Sequence, residues 1–99
     1  MEAQLRNKRN ALIRDEGKLI AKIDARLEEL SRRKDELTAI MGDEALYDDK
    51  QRSMEVMFEY NEIERELGML EEQWLEINEA IEAKLAAFDA EHGIEKGDL

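Results

Sequence analysis

Residues 56–88 read VMFEYNEIERELGMLEEQWLEINEAIEAKLAAF. Within them Val56, Tyr60, Ile63, Leu67, Leu70, Trp74, Ile77, Ile81, Lys84 and Phe88 recur in alternating steps of four and three. Such alternation returns to one side of an α-helix for as long as it lasts, and here it lasts over four heptads. Charged side chains fill most of the other positions, and Glu62 stands one turn from Arg65, where the two can pair. The spacing predicts one long helix over about 50–90 with a single apolar seam, the pattern of a coiled coil.

Upstream, a second stripe runs through Leu5, Leu12, Leu19, Ile23, Leu27, Leu30, Leu37 and Ile40. Its steps of three, four and seven all return to one helix face, so a continuous helix is expected over about 2–41. Arg9, Glu16, Arg26 and Arg33 are polar seam positions. Arginine can lay its methylenes along a seam and keep its head in water. Gly17 disfavours helix by about 1 kcal/mol relative to Ala. It marks a kink or frayed start, or else makes room for a bulky residue opposite; folding the chain back brings Trp74 within about two turns of it, which favours the second reading.

Between the helices, Gly42 stands where a helix C-cap glycine belongs, and residues 42–49 interrupt the stripe. Asp48 or Asp49 is placed to cap the next helix, its charge at the positive end of the helix dipole. Leu46 and Tyr47 are expected to fold back over the end of the coiled coil. A short loop makes two long helices antiparallel neighbours. The expected fold is therefore all-α, a two-helix antiparallel coiled-coil hairpin forming one domain over 1–99, with a frayed tail at 91–99. Its seam residues are Ile23, Leu30 and Leu37 on one helix and Tyr60, Ile63, Leu67, Leu70, Trp74, Ile77 and Ile81 on the other. The fold places Leu37 near Tyr60, Leu30 near Leu67, Ile23 near Trp74, and Leu12 near Lys84 or Leu85.

Composition agrees. The 99 residues hold no Pro, five Gly, 42% apolar and 41% charged side chains, which suits helices with one narrow stripe better than a globule. The absence of Cys excludes disulfides and thiolate metal sites. No run approaches the roughly 20 apolar residues of a membrane span, and Met1–Arg6 lacks the apolar core of a signal peptide, so a cytoplasmic chain with no membrane partner is expected.

Enzyme chemistry has little to work with. Ser31, Thr38, Ser53 and His92 are the only Ser, Thr or His residues, too few for an obvious nucleophile, base and orienting group. Asp89 and His92 are the one approach to the Glu-x-x-His spacing of bundle metal sites, and it occurs once. There is no Gly-rich phosphate loop. The sequence predicts neither catalysis nor a bound metal or cofactor.

Charge is unevenly spread. Up to Gly42 there are ten Lys and Arg against eight Asp and Glu, a balance of +2; from Asp43 onward there are five against eighteen, a balance of −13. Opposite charges flanking a seam are what two docking helices show. Interhelical pairing accounts for Arg32, Arg33 and Lys34, which lie near Glu62, Glu64 and Glu66. Arg6, Lys8, Arg9 and Arg14 have fewer acidic neighbours and are the candidates for binding nucleic-acid phosphates.

The loop Met41-Gly42-Asp43-Glu44-Ala45-Leu46-Tyr47-Asp48-Asp49, followed by a Glu-rich heptad helix carrying Glu72-Gln73-Trp74-Leu75-Glu76, resembles the C-terminal coiled-coil domain of ABC-F proteins of the Uup type. The resemblance covers about residues 19–82. It marks Gly42, Leu46, Tyr47 and Asp48 as the hairpin loop. It implies a piece of a larger soluble ATPase whose ATP-binding motifs lie outside these residues. Many ABC-F proteins act on the ribosome, and the Uup-type domain is associated with DNA.

Two functions are therefore expected. The first is a non-catalytic accessory domain helping its parent engage DNA, ribosomal RNA or the ribosome. The alternative is a structural coiled coil that mediates protein–protein assembly, with Ile20, Leu75 and Leu85 widening the seam. The hairpin itself is expected to be monomeric or weakly self-associating.

Overall fold

The computed structural model describes residues 2–93, which are all-α, with no strand among them. Helix α1 spans Glu2–Leu12, α2 spans Arg14–Met41 and α3 spans Lys50–Glu91, with a 3-10 helix at Glu44–Asp48 between α2 and α3. The described residues thus hold three α-helices where the spacing predicts two. Ile13 separates α1 from α2: its N–H donates to Asn10 O at 3.4 Å, three residues back instead of four. The ladder resumes when Gly17 N–H donates to Ile13 O at 2.8 Å. Asn10, Ile13 and Gly17 are weak helix formers, and α1 buries no residue that would override them.

Two units make up the chain: Ile23–Glu72 forms one, and the described residues up to Lys22 and from Gln73 onward form the other. In the Ile23–Glu72 unit, α2 and α3 run antiparallel, since Arg26 meets Glu66 while Arg33 meets Glu59. Leu30, Leu37, Leu46, Val56 and Ile63 form its buried cluster, and Ile40, Met41, Tyr60, Leu67 and Leu70 pack against it, partly covered. Leu37 is wholly buried, and Ile23 is buried as well. Each such leucine or isoleucine contributes roughly 1.5–3 kcal/mol by leaving water.

The turn between α2 and α3 is built by side chains. Asp43 Oδ1 accepts from Ala45 N–H at 3.0 Å and starts the 3-10 helix. Leu46, within it, joins the core, as its expected folding back requires. Tyr47 Oη donates to Met41 O at 2.8 Å, while the rest of its side chain stays exposed. Of the two possible caps for α3 it is Asp49 that serves, accepting from Arg52 N–H at 3.1 Å; Asp48 belongs to the 3-10 helix. Gly42 is not the left-handed C-cap expected of it. Its N–H donates to Thr38 O and Ala39 O, and its φ is not positive. Gly93, just past α3, is the glycine with φ of 66°, the value that suits a helix stop. Residues 94–99, most of the tail expected to fray, lie outside the described residues.

In the other unit the described residues include none that is buried. Ile77 and Ile81 are half-buried, and Trp74, expected in the core, keeps 36% of its surface exposed. Leu12 and Leu19 are also corrected: they are 39% and 48% exposed, while Arg9, Ile13, Glu16 and Ile20 are half-covered. Steps of three and four counted back from Ile23 reach Ile20, Glu16, Ile13 and Arg9, so the helix keeps its phase even where that seats charged residues. Leu12 and Leu19 fall one position off that line, about 100° around the helix. Gly17 makes room for nothing, because a Cβ there would meet no atom within 4 Å.

Candidate functional site

Arg9 belongs to the fold before it belongs to any ligand. Its Nε and Nη2 donate to Asp89 Oδ1 and Oδ2 at 2.8 and 3.0 Å, a two-pronged bridge between α1 and α3. Such planar pairing is strong for an ion pair, and both side chains are largely covered. The bond holds the Asp89 carboxyl below the usual carboxylate range and raises Arg9. A second bridge in this unit joins Lys84 Nζ to Glu16, whose carboxyl is lowered chiefly by that hydrogen bond.

Arg6, Lys8 and Arg14, the other basic candidates, are exposed and make no ion pair among the described residues. Lys18 and Lys22 share that condition. With Arg14 they stand four residues apart along α2, hence on one face. The i, i+4 spacing is legible in the sequence although it forms no dense basic run. Arg6, Lys8, Arg14, Lys18 and Lys22 are thus exposed cations of α1 and α2 with no ion pair among the described residues.

In the Ile23–Glu72 unit Arg26, Arg33, Lys34 and Arg65 pair with carboxylates, whereas Arg32, expected to pair across the helices, and Lys50 and Arg52 are exposed and make no ion pair among the described residues. Arg33 Nη2 and Nε hold Glu59 Oε1 and Oε2, and its Nη1 donates to Glu36 at 2.8 Å. Arg26 repeats the arrangement, holding Glu66 with two bonds and Glu29 with one at 3.0 Å. The repeat is written as Arg26-x-x-Glu29-Leu30 and Arg33-x-x-Glu36-Leu37, one heptad apart, and it does not stand out as a run of like charge. The clamps hold Glu59 and Glu66 below the usual range and raise both arginines. Lys34 pairs with Glu64 at 3.6 Å and lies 5.6 Å from the Tyr60 ring centre, within cation–π reach. The Tyr60 hydroxyl is pushed up, chiefly by its hydrogen bond to Glu64. Glu62 and Arg65 pair along α3 at 3.1 Å.

The Asp89 and His92 pair does not assemble as ligands. Asp89 faces Arg9, and the His92 ring lies against Phe88 with centroids 4.2 Å apart. Among the described residues no three His, Asp or Glu side chains converge on one point, and no helix is long and apolar enough to cross a membrane.

The family model described as the ABC transporter C-terminal domain matches residues 11–79, all of α2, the 3-10 turn and the greater part of α3. The chain belongs to this family. It is an accessory domain of an ABC protein, and the match bears out the resemblance carried by the loop and Trp74. No curated protein and no solved structure matches the chain. In this C-terminal domain the turn does structural work: Leu46 seals the core, Tyr47 ties the turn to Met41 and Asp49 starts α3.

Proposed function

We propose that this ABC C-terminal domain is a non-catalytic, cytoplasmic antiparallel coiled-coil hairpin that helps its parent protein engage nucleic acid, either DNA or ribosomal RNA. The observation that carries the reading is the set of exposed cations on α1 and α2 that the fold leaves unpaired among the described residues: Arg6, Lys8 and Arg14, extended by Lys18 and Lys22. Elsewhere Arg9, Arg26, Arg33 and Arg65 are bridged to carboxylates, and Arg32, Lys50 and Arg52 are the other exposed cations without an ion pair among the described residues. The acidic remainder of the chain repels nucleic acid and limits contact to such exposed cations. The ATPase chemistry belongs to the parent, since this sequence holds no phosphate loop.

The test titrates the chain with duplex, branched and single-stranded DNA and with structured RNA over a range of salt. A variant reversing charge at Arg6, Lys8 and Arg14 runs alongside; Arg9 is spared because it holds Asp89. Binding that falls as salt rises and vanishes in the variant supports the proposal. Absence of binding at low salt, or a variant that binds undiminished, defeats it.

A further inference from the structure

Helix α3 carries a second apolar face, opposite in kind to its seam. Met54, Met57, Phe58 and Met69 are 60%, 48%, 68% and 55% exposed, all within the Ile23–Glu72 unit. At 100° per residue, Lys50, Met54, Met57, Phe58, Asn61, Arg65, Gly68 and Met69 lie within about 60° of one line along the helix. No carboxylate between Lys50 and Met69 falls inside that band, although Glu55, Glu59, Glu62, Glu64 and Glu66 occupy the same stretch. Those five stand toward the flanks, where Glu59, Glu64 and Glu66 meet cations of α2. Met54, Met57 and Phe58 cluster within about one turn of this acidic helix, and Met69 follows about three turns further on, an exposed apolar set of the kind that marks a binding surface.

We infer that this face of α3 is a self-association surface, occupied by the same face of a second copy of the chain laid antiparallel. The ends of the face complement each other in charge, while its centre sets Met57 opposite Arg65 and Phe58 opposite Glu64. A two-fold axis at Asn61 sets Lys50 of one copy opposite Glu72 of the other, and does so twice, as an isologous interface must. The same register sets Met54 opposite Gly68, where a Cβ would meet nothing within 4 Å. The flexible thioether enters the space that the missing side chain leaves. Asn61 then faces its own copy, and a polar residue at such a point fixes register. Phe58, beside the axis, is the anchor. This inference does not rest on the nucleic-acid reading, and its salt dependence has the opposite sign. Each copy carries a net charge of −11, so the dimer gains as salt screens the repulsion.

Sedimentation equilibrium on the full chain tests it across concentration and between roughly 0.05 and 0.5 M salt, where the Debye length shrinks about threefold. The expected result is a dimer fraction that grows with both. Phe58→Glu is expected to weaken association by at least about tenfold, as the loss of a central aromatic anchor does. Phe58 is exposed, so far-UV circular dichroism of that variant should keep its helix content. Because the sequence holds no Cys, Asn61→Cys supplies a single thiol at the axis. Under oxidation it should join two copies much faster than Glu55→Cys, which lies off the face. A chain that stays monomeric at every concentration and salt overturns the inference, as does Asn61→Cys that crosslinks no faster than Glu55→Cys.

Discussion

Arg33 grips Glu59 through two parallel hydrogen bonds while its third donor holds Glu36 on its own helix, and seven residues earlier Arg26 does the same to Glu66 and Glu29. These clamps flank Leu30 and Leu37 and are open to solvent, so they contribute less than the leucines and mainly set which residues face each other. Replacing Arg26 and Arg33 together by Gln should lower the melting temperature in dilute buffer. Against the parent chain, that deficit should shrink in high salt, which screens exposed pairs. A deficit independent of salt, measured by thermal circular dichroism, would place their contribution in packing.

The same bonds set the acid limb of stability. Glu59, Glu66, Glu16 and Asp89 are held below the usual carboxylate range, chiefly by hydrogen bonds from Arg33, Arg26, Lys84 and Arg9. A carboxylate lowered in the folded state takes up its proton later than in the unfolded chain. Its contribution is therefore complete above the unfolded value, about 4.3 for Glu. It is lost as pH falls through the folded value. Carboxyl-detected NMR titration should find Glu59 below the ordinary Glu value, and Arg33→Gln should move it back up.

Gly17 and Gly68 sit in helices with nothing around a notional Cβ. Ala at either position should stabilise the chain by roughly 0.5–1 kcal/mol, the helix-propensity difference with no clash to offset it. Urea unfolding reads this directly. A loss at Gly17 would show that the interruption at Ile13 needs the glycine. For Gly68→Ala the dimer should be measured as well, since the added methyl enters the pocket assigned to Met54.

Core and stripe separate in a leucine scan. Leu37→Ala should cost about 2–5 kcal/mol, because a wholly buried side chain leaves a cavity. Leu19→Ala, at a half-exposed position, should cost well under that. Equal losses at the two sites would contradict the helix phase seen here.

Removing the cap of α3 gives an independent reading of the turn. Asp49→Ala frees the Arg52 N–H and should cost about 1 kcal/mol. Asp48→Ala should cost less, since Asp48 accepts no such bond.

How far the sequence speaks depends on the regularity of its seam. The run from Val56 to Leu70 is apolar at every step, and there helix, partners and core all follow from spacing. Leu46 was readable as a lid because the turn has few other large apolar side chains. Before Ile23 the stripe is discontinuous, and two phases compete. Leu12 and Leu19 suit a step of seven, whereas Ile20, Glu16, Ile13 and Arg9 continue the alternation. Hydrophobicity favours the first, but the phase fixed by Ile23, Leu30 and Leu37 imposes the second, and Asp89 and Lys84 compensate the charges it covers. Trp74 stands at a heptad position that suggests burial, yet it keeps 36% of its surface exposed. The Arg-x-x-Glu-Leu repeat was visible in the letters, and its meaning came from Glu59 and Glu66 on another helix.

The uneven distribution of buried residues has a kinetic consequence. Every buried side chain among the described residues lies between Ile23 and Ile63, within one unit. Amides of Leu30, Leu37, Val56 and Ile63 should exchange with solvent deuterium only through global opening. Those near Leu5, Leu12 and Ile81 should exchange through cheaper local opening. A protease acting on the native chain should therefore nick α1 or the last turns of α3 first, and a trimmed fragment centred on Leu46 should outlast the rest.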